Sequence, residues 1–215
     1  MWLMRRKGYS TEPLRLAVAA SGEGTTFEYI ARAAQEGRVP VEVVLLLTSR
    51  RDNGAAQRAR HLGVPTKELV PSEFESPATW DEAVADALAS HRVELLLLAG
   101  FLRKLGARTL RTLHGQILNT HPALLPKYGG KGMYGTAVHQ AVLDSGDTKS
   151  GVTIHLVDEE YDSGPIVFQK QTGVCSGDTV ASLKSRVQDV ERQAVAEVLA
   201  MIASGELRLE HGRSS

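Results

Sequence analysis

Cysteine is almost absent from this sequence: Cys175 is the single one in 215 residues. That excludes an internal disulfide framework and a cysteine-built zinc cluster, and it fits a reducing compartment, for which cytoplasm is the default. An excess of either charge is missing as well, with 25 Lys+Arg against 25 Asp+Glu. A nucleic-acid binder living on phosphate contacts would carry a basic excess, so the expected partners are small molecules and no nucleic acid. A charged substrate held in a local pocket remains compatible. Long apolar runs are lacking too: none approaches the ~18–20 residues that span a bilayer, so no membrane partner is expected. The opening MWLMRRKGYSTEP is basic but has neither the apolar stretch nor the small-residue cleavage site of a secretory signal. Residues 1–13 are therefore read as a disordered leader and 210–215 as a disordered tail, around a single domain over 14–209. There is no internal repeat or low-complexity segment, and no metal site is expected.

What the sequence does have is 42% hydrophobic residues, enough in a chain of this length for one substantial core. Leu14–Ala20 reads as a short buried strand, then the turn Ser21–Thr26, then a helix from Phe27 to Gln35 with Phe27, Ile30, Ala31 and Ala34 on one face. Val41–Thr48 is nearly continuous in branched apolar residues, the pattern of a strand covered on both faces, and Ala55–Leu62 is a helix ended by Gly63. The alternation continues with an edge strand at Val64–Leu69, a helix at Pro77–Ser90 with Trp80, Val84 and Leu88 along one side, and a buried strand at Val93–Ala99. A helix at Ala107–Leu113 leads into a core strand at Gln116–Asn119, and a glycine-rich loop into a helix at Thr136–Asp144. Val152–Val157 and Ile166–Thr172 alternate as an antiparallel pair. A last helix, beginning at Asp178, carries the stripe Val180, Leu183, Val187, Val190, Ala194, Val198 and Met201. Strand–helix units in series predict an α/β fold: a Rossmann-like, mostly parallel sheet flanked by helices, with an antiparallel C-terminal strand pair and a long C-terminal helix.

Three stretches carry groups with chemical potential. SGEGTTF, after the first strand, offers unencumbered backbone N–H groups at a helix start, where the dipole also favours an anion such as phosphate. It lacks the third glycine of a dinucleotide fingerprint and the lysine of a P-loop, so a plain tight turn is the competing reading. LNTHPALLPKYGGKGMYG begins at the carboxyl end of a core strand, where open parallel sheets place their ligands. Residues two apart in extended chain share a side, so Asn119 and His121 can converge on one atom. Two such donors on one oxygen make an oxyanion hole, each worth about 3–4 kcal/mol. Alone, a histidine at a strand end reads more readily as structural. The acidic loop Asp158–Gly164 reads as a solvated turn unless Asp162 folds back on His121, where its charge would keep the imidazole protonated near neutral pH. His139 and His155 lie near the loop and read as packed or half-exposed residues. Cys175 has no activating neighbour and no serine sits in a nucleophile elbow, so no covalent acyl-enzyme is indicated.

Taken in order, SGEGTTF, AGFLRKL, ILNTHPALLPKY, YDSGP and RVQDVERQ resemble the motif series of the phosphoribosylglycinamide formyltransferase family, folate-dependent enzymes of purine synthesis, from Leu14 to Leu209. The resemblance implies direct attack by the amine of glycinamide ribonucleotide on the formyl carbon of 10-formyltetrahydrofolate, the co-substrate, with no covalent enzyme intermediate and no metal. It implies Asn119, His121 and Asp162 as the catalytic residues. The first two would stabilise the tetrahedral oxyanion, His121 would give a proton to the departing folate nitrogen, and Asp162 would hold His121 charged and relay the proton of the amine. The substrate phosphate and glycinamide would meet Gly24, Thr25, Thr26, Gly100, Pro122, Gln188 and Glu191. The pterin would enter between Leu102, Arg103, Lys104 and Leu105 on one side and Asp158, Glu159, Glu160, Tyr161 and Asp162 on the other, with Asn119 at its inner end.

The sequence departs from that pattern twice. Pro77 falls where the family commonly has an arginine suited to the anionic folate tail, and KYGGKGMYGTAVH is longer than the K-Y-x-G-x-x-x-H version of part of the family; the resemblance implies that Lys131 or Tyr134 of this loop would touch substrate. The nearest rival readings are a formyltetrahydrofolate hydrolase, which usually carries an extra N-terminal regulatory domain, and a formyltransferase for another amine. A tRNA-directed formyltransferase would want a further basic domain. A silent nucleotide-binding module would have no need of Asn119, His121 and Asp162 together. A monomer or homodimer is expected.

Overall fold

The computed structural model describes residues 12–209. The expected leader, but for Glu12 and Pro13, and the expected tail lie outside the described residues. In chain order the elements are β1 (Leu14–Ala19), α1 (Thr25–Gln35), β2 (Val41–Thr48), α2 (Gly54–Leu62), β3 (Thr66–Glu68), α3 (Pro77–Ser90), β4 (Leu95–Leu98) and α4 (Ala107–Thr112). They continue with β5 (Ile117–His121), α5 (Thr136–Asp144), β6 (Lys149–Leu156), β7 (Ile166–Gly173) and α6 (Val180–Ala203). The strands form one sheet in the order β3-β2-β1-β4-β5-β6-β7. Pairing is parallel from β3 through β5 and antiparallel for β5–β6 and β6–β7. The fold is the α/β class that the sequence predicts, with the long C-terminal helix in place.

The apolar strands are buried on both faces, which explains why they read as continuous runs. Successive residues of β4 separate cleanly. Leu95 and Leu97 join Leu16, Val18, Phe27, Ile30 and Val198 in the core under α1 and α6. Leu96 and Leu98 join Ala17, Leu45, Trp80, Val84 and Leu88 under α3. Each fully buried leucine contributes about 1.5–3 kcal/mol relative to exposure.

Two local devices fix the ground around the site. The chain runs from β1 outward to β3, then returns to β4 on the other side of β1. Helix connections diverge there, and the crevice at such a switch point is where open α/β sheets bind ligands. Asp81, buried at 6% exposure, accepts from the backbone N–H groups of Gly106 (3.0 Å) and Arg108 (2.9 Å) and from the Thr109 hydroxyl (2.5 Å). It thus caps α4 from α3 and pins the end of the AGFLRKL loop that follows β4. Pro77 occupies the first turn of α3 behind a Ser76–Thr79 capping box, a position where its missing N–H costs nothing.

Some boundaries differ from expectation for physical reasons. β5 extends through His121, because Thr120 and His121 pair with Ile154 and Thr153 of β6. α1 starts at Thr25, ahead of Phe27, after Gly24 adopts φ 73. Asp178 stands outside α6, whose N-cap is Thr179. Its carboxylate instead binds Arg186 (2.7 and 2.8 Å) and the Cys175 N–H (2.7 Å), and Arg186 above all holds it well below the usual carboxylate range.

Candidate active site

A cleft of about 470 Å³ opens at the carboxyl ends of β1, β4 and β5. One wall is the turn after β1. There Gly24 is required, since its φ is +73 and a Cβ would lie 2.5 Å from Ala55 Cα. Turn and α2 are stitched together by Ala55 N–H to Gly22 O (3.0 Å) and by Arg58 Nε to Glu23 O (2.8 Å). The first N–H groups of α1 have no partners within the helix, and Gly24, Thr25 and Thr26 at that helix start line the cleft. The other end of the cleft is the floor made by Asn119 and His121.

Alternation along β5 sends Thr120 the other way from its neighbours. Thr120 Oγ1 donates to Glu191 Oε1 of α6 at 2.6 Å. Glu191 is half-buried; desolvation pushes its carboxyl upward against the opposing pull of Thr120, Arg192 and Thr26.

Asn119 and His121 meet Asp162, which arrives on the connection from β6 to β7 with φ 55. Gly164 permits that approach, because any side chain there would collide with the Leu156 carbonyl. The Asp162 carboxylate is divided. Oδ1 accepts from Asn119 Nδ2 at 3.4 Å and faces His155 Nε2 at 3.5 Å, whereas Oδ2 faces His121 Nδ1 at 3.4 Å and accepts from Gly130 N–H at 2.9 Å. Burial would raise the Asp162 pKa, but His155, the Gly130 N–H and the nearby imidazoles outweigh it and lower the value.

His121 is 3% exposed, and its Nε2 lies 2.7 Å from the Tyr128 carbonyl. A carbonyl has no hydrogen, so Nε2 is the protonated nitrogen and Nδ1 is the one turned toward Asp162. Burial lowers the His121 pKa; Asp162 and the Tyr128 carbonyl oppose that without overcoming it. The expectation that Asp162 raises the His121 pKa is corrected in direction: desolvation, which sequence does not reveal, is the larger effect.

His155, read from sequence as a packed residue, belongs to this cluster. It lies directly opposite Asn119 in the β5–β6 register, its Nε2 is 3.0 Å from Asn119 Nδ2, and its Nδ1 donates to the Leu156 carbonyl at 2.8 Å. Both contacts of the Asn119 amide nitrogen lie on the Asp162 side of the cluster, His155 Nε2 and Asp162 Oδ1 being themselves 3.5 Å apart.

The cleft collects most of the remaining residues singled out from sequence: Gly24, Thr25, Thr26, Gly100, Leu102, Pro122, Tyr161, Gln188 and Glu191 all line it. Lys184, Gln188 and Glu191 do so as one face of α6, spaced i, i+4, i+7. Arg103, Lys104, Leu105, Asp158, Glu159 and Glu160 stand outside the lining. Leu105 is 6% exposed in the core beside Trp80. Asp158 holds its own loop, accepting from Glu160 N–H (3.0 Å) and Ser163 Oγ (2.8 Å). Lys104 bridges the two rims, 4.0 Å from Glu160 and 5.9 Å above the Tyr161 ring. Arg50, Lys184 and His139 line the cleft without having been marked as substrate-binding in the sequence; the i, i+4 spacing of Lys184 to Gln188 was the available signal for one of them. Lys131 and Tyr134 of the long loop line it as well.

A doubly wound sheet with a glycine-rich anion turn and an Asn–His–His–Asp cluster sharing one switch-point cleft defines a group-transfer enzyme of the α/β class. The chain belongs to the formyl transferase family, whose profile, described as formyl transferase, matches residues 14–199. It is 40% identical over 208 residues to the chloroplastic phosphoribosylglycinamide formyltransferase of Arabidopsis thaliana, covering 94% of this chain and 70% of that one. It is 32% identical over 196 residues to the phosphoribosylglycinamide formyltransferase of Haemophilus influenzae, covering 91% and 90%. The solved structure of glycinamide ribonucleotide transformylase 1 from Symbiobacterium toebii superposes with a TM-score of 0.87 at 33% identity, covering 95% of this chain and 93% of that one. Among the described residues, no helix is long and apolar enough to cross a membrane.

Proposed function

We propose that this chain transfers the formyl group of 10-formyltetrahydrofolate to the amine of glycinamide ribonucleotide in purine synthesis. The observation that carries the reading is the cluster around Asp162, set in the same cleft as the Gly24–Thr26 helix start. The ribonucleotide phosphate is assigned to that helix start, with Arg50, Lys131 and Lys184 adding positive charge to the same cleft. The pterin is assigned to the mouth, where Leu102 and Tyr161 are each 47% exposed and Tyr134 is 56% exposed. A planar ring system placed there covers apolar surface that water otherwise meets.

On this reading the resting site is a proton acceptor. The His121–Asp162 pair takes the proton that the amine sheds as its nitrogen bonds to the formyl carbon. Negative charge growing on the formyl oxygen adds an anionic neighbour and favours the imidazolium, which then gives its proton to the departing folate nitrogen. One proton leaves the amine and one reaches folate, so the balance closes without a covalent enzyme intermediate. The Asn119 amide donates to the same oxygen.

The test is formyl transfer to glycinamide ribonucleotide with a water-only control, for the wild-type chain and His121→Ala. Ribonucleotide-dependent transfer is expected, with turnover falling by about 10²–10⁴ in the folded variant. An unimpaired His121→Ala enzyme would overturn the mechanism; formylation of a different amine, or hydrolysis alone, would overturn the substrate.

A further inference from the structure

We propose that Tyr128 is a positioning residue whose side-chain hydroxyl, anchored on the segment between α5 and β6, holds the Tyr128–Gly130 main chain as a clamp across the His121–Asp162 pair. The proposal rests on the reaction assigned above to that pair. The clamp touches both partners: the Tyr128 carbonyl accepts from His121 Nε2 at 2.7 Å, and the Gly130 N–H donates to Asp162 Oδ2 at 2.9 Å. Gly129, between them, is pressed into place; a Cβ would lie 2.5 Å from Leu125 Cδ2 and 3.4 Å from Asp162 Cβ.

Tyr128 delivers its carbonyl from an unfavourable backbone, with φ 59 in the left-handed region, which a bulky residue keeps only when its surroundings enforce it. The side chain supplies the enforcement. Its ring packs on Val142, Leu183 and Val187, between α5 and α6. Its hydroxyl donates to Asp147 Oδ2 at 2.7 Å and lies 2.6 Å from Ser145 Oγ. Lys127 Nζ, 2.9 and 3.2 Å from the same carboxylate, together with the Tyr128 hydroxyl keeps Asp147 below its ordinary pKa. This anchor borders a second cavity of about 310 Å³, lined by Lys127, Tyr128, Asp147 and Ser150 among others, rather than the reaction cleft.

The consequence for His121 is chemical as well as geometric. A carbonyl on Nε2 selects one tautomer and directs Nδ1 to Asp162. It also favours the protonated form. The other groups that bear on His121 are Asp162 from the β6–β7 connection, His155 from β6, and His139 from α5, the last with Lys184 of α6 behind it. None of them replaces the carbonyl at Nε2.

Tyr128→Phe removes the hydroxyl alone. With circular dichroism confirming the fold, the expected result is a fall in kcat of about tenfold, KM for both substrates within twofold, and an acid limb of the kcat–pH profile displaced to lower pH. Asp147→Asn is expected to do the same, and the double variant to lose little more than either single one. Loss of stability with kcat and the acid limb unmoved would overturn the clamp. Should the Phe variant fail to fold, nitrogen-15 NMR of wild-type His121 decides: Nε2-protonated imidazole is expected, and the Nδ1-protonated tautomer overturns the proposal. Absence of formyl transfer in the wild-type chain would defeat the functional reading instead, and the His121 tautomer, compared between wild type and Tyr128→Phe, would still judge the clamp.

Discussion

His139 should make the protein lose stability in mild acid, by an amount that follows from its surroundings. It sits on α5 at 2% exposure, and its Nδ1 has no hydrogen-bond partner among the described residues. Burial, then Lys184 and His121, push its pKa down from 6.5 to about 4. An unfolded chain takes up this proton first as pH falls, so the folded state is penalised below the unfolded pKa, and the penalty stops growing near the folded one. At 1.36 kcal/mol per unit, the fall from 6.5 to about 4 corresponds to ~3 kcal/mol in full, of which about 2 kcal/mol is developed by pH 5. The comparison is with His139→Leu, which keeps a similar volume and does not titrate. Urea unfolding of both proteins at pH 7.5 and pH 5 measures the effect, since titrations remote from His139 are shared and cancel. The wild-type chain is predicted to lose about 2 kcal/mol more than the variant over that interval. Parallel stability curves would refute the reasoning and show that His139 is protonated, or solvated, in the native state.

Two further outcomes follow from single contacts. Asp81→Ala strips the acceptor from Gly106, Arg108 and Thr109 at the start of α4 and should cost roughly 2–3 kcal/mol in urea unfolding, with Asp81→Asn milder. Gly164→Ala drives a methyl group into the Leu156 carbonyl; the turn must shift, so a loss of about 1–3 kcal/mol is expected together with a lower kcat, because Asp162 moves with it.

The architecture was legible because strands buried on both faces declare themselves as apolar runs. The spans Val41–Thr48, Pro77–Ser90 and Thr136–Asp144 coincide with β2, α3 and α5. Boundaries set by tertiary pairing were not legible: nothing in the residues Thr120 and His121 announces that β6 will pair with them and carry β5 onward. The catalytic candidates Asn119, His121 and Asp162 were singled out by residue type and by family resemblance, and the fold brings their side chains together. His155 read as a packed residue because its role depends on lying opposite Asn119, a matter of register between strands separated by a long loop and α5. The direction of the His121 pKa shift escaped for a related reason. Sequence showed its charged neighbour, whereas the depth of burial that outweighs that neighbour exists only in the fold. The clamp from Tyr128 to Gly130 uses main-chain atoms, on which side-chain identity is silent.

The most direct measurement follows the formyl group itself. The wild-type chain is incubated with 10-formyltetrahydrofolate labelled in the formyl carbon, with and without glycinamide ribonucleotide, and the label is traced. The account predicts label on the ribonucleotide amine, matched by tetrahydrofolate release, and negligible release when the ribonucleotide is left out. Label appearing as free formate at the same rate in both mixtures would contradict it.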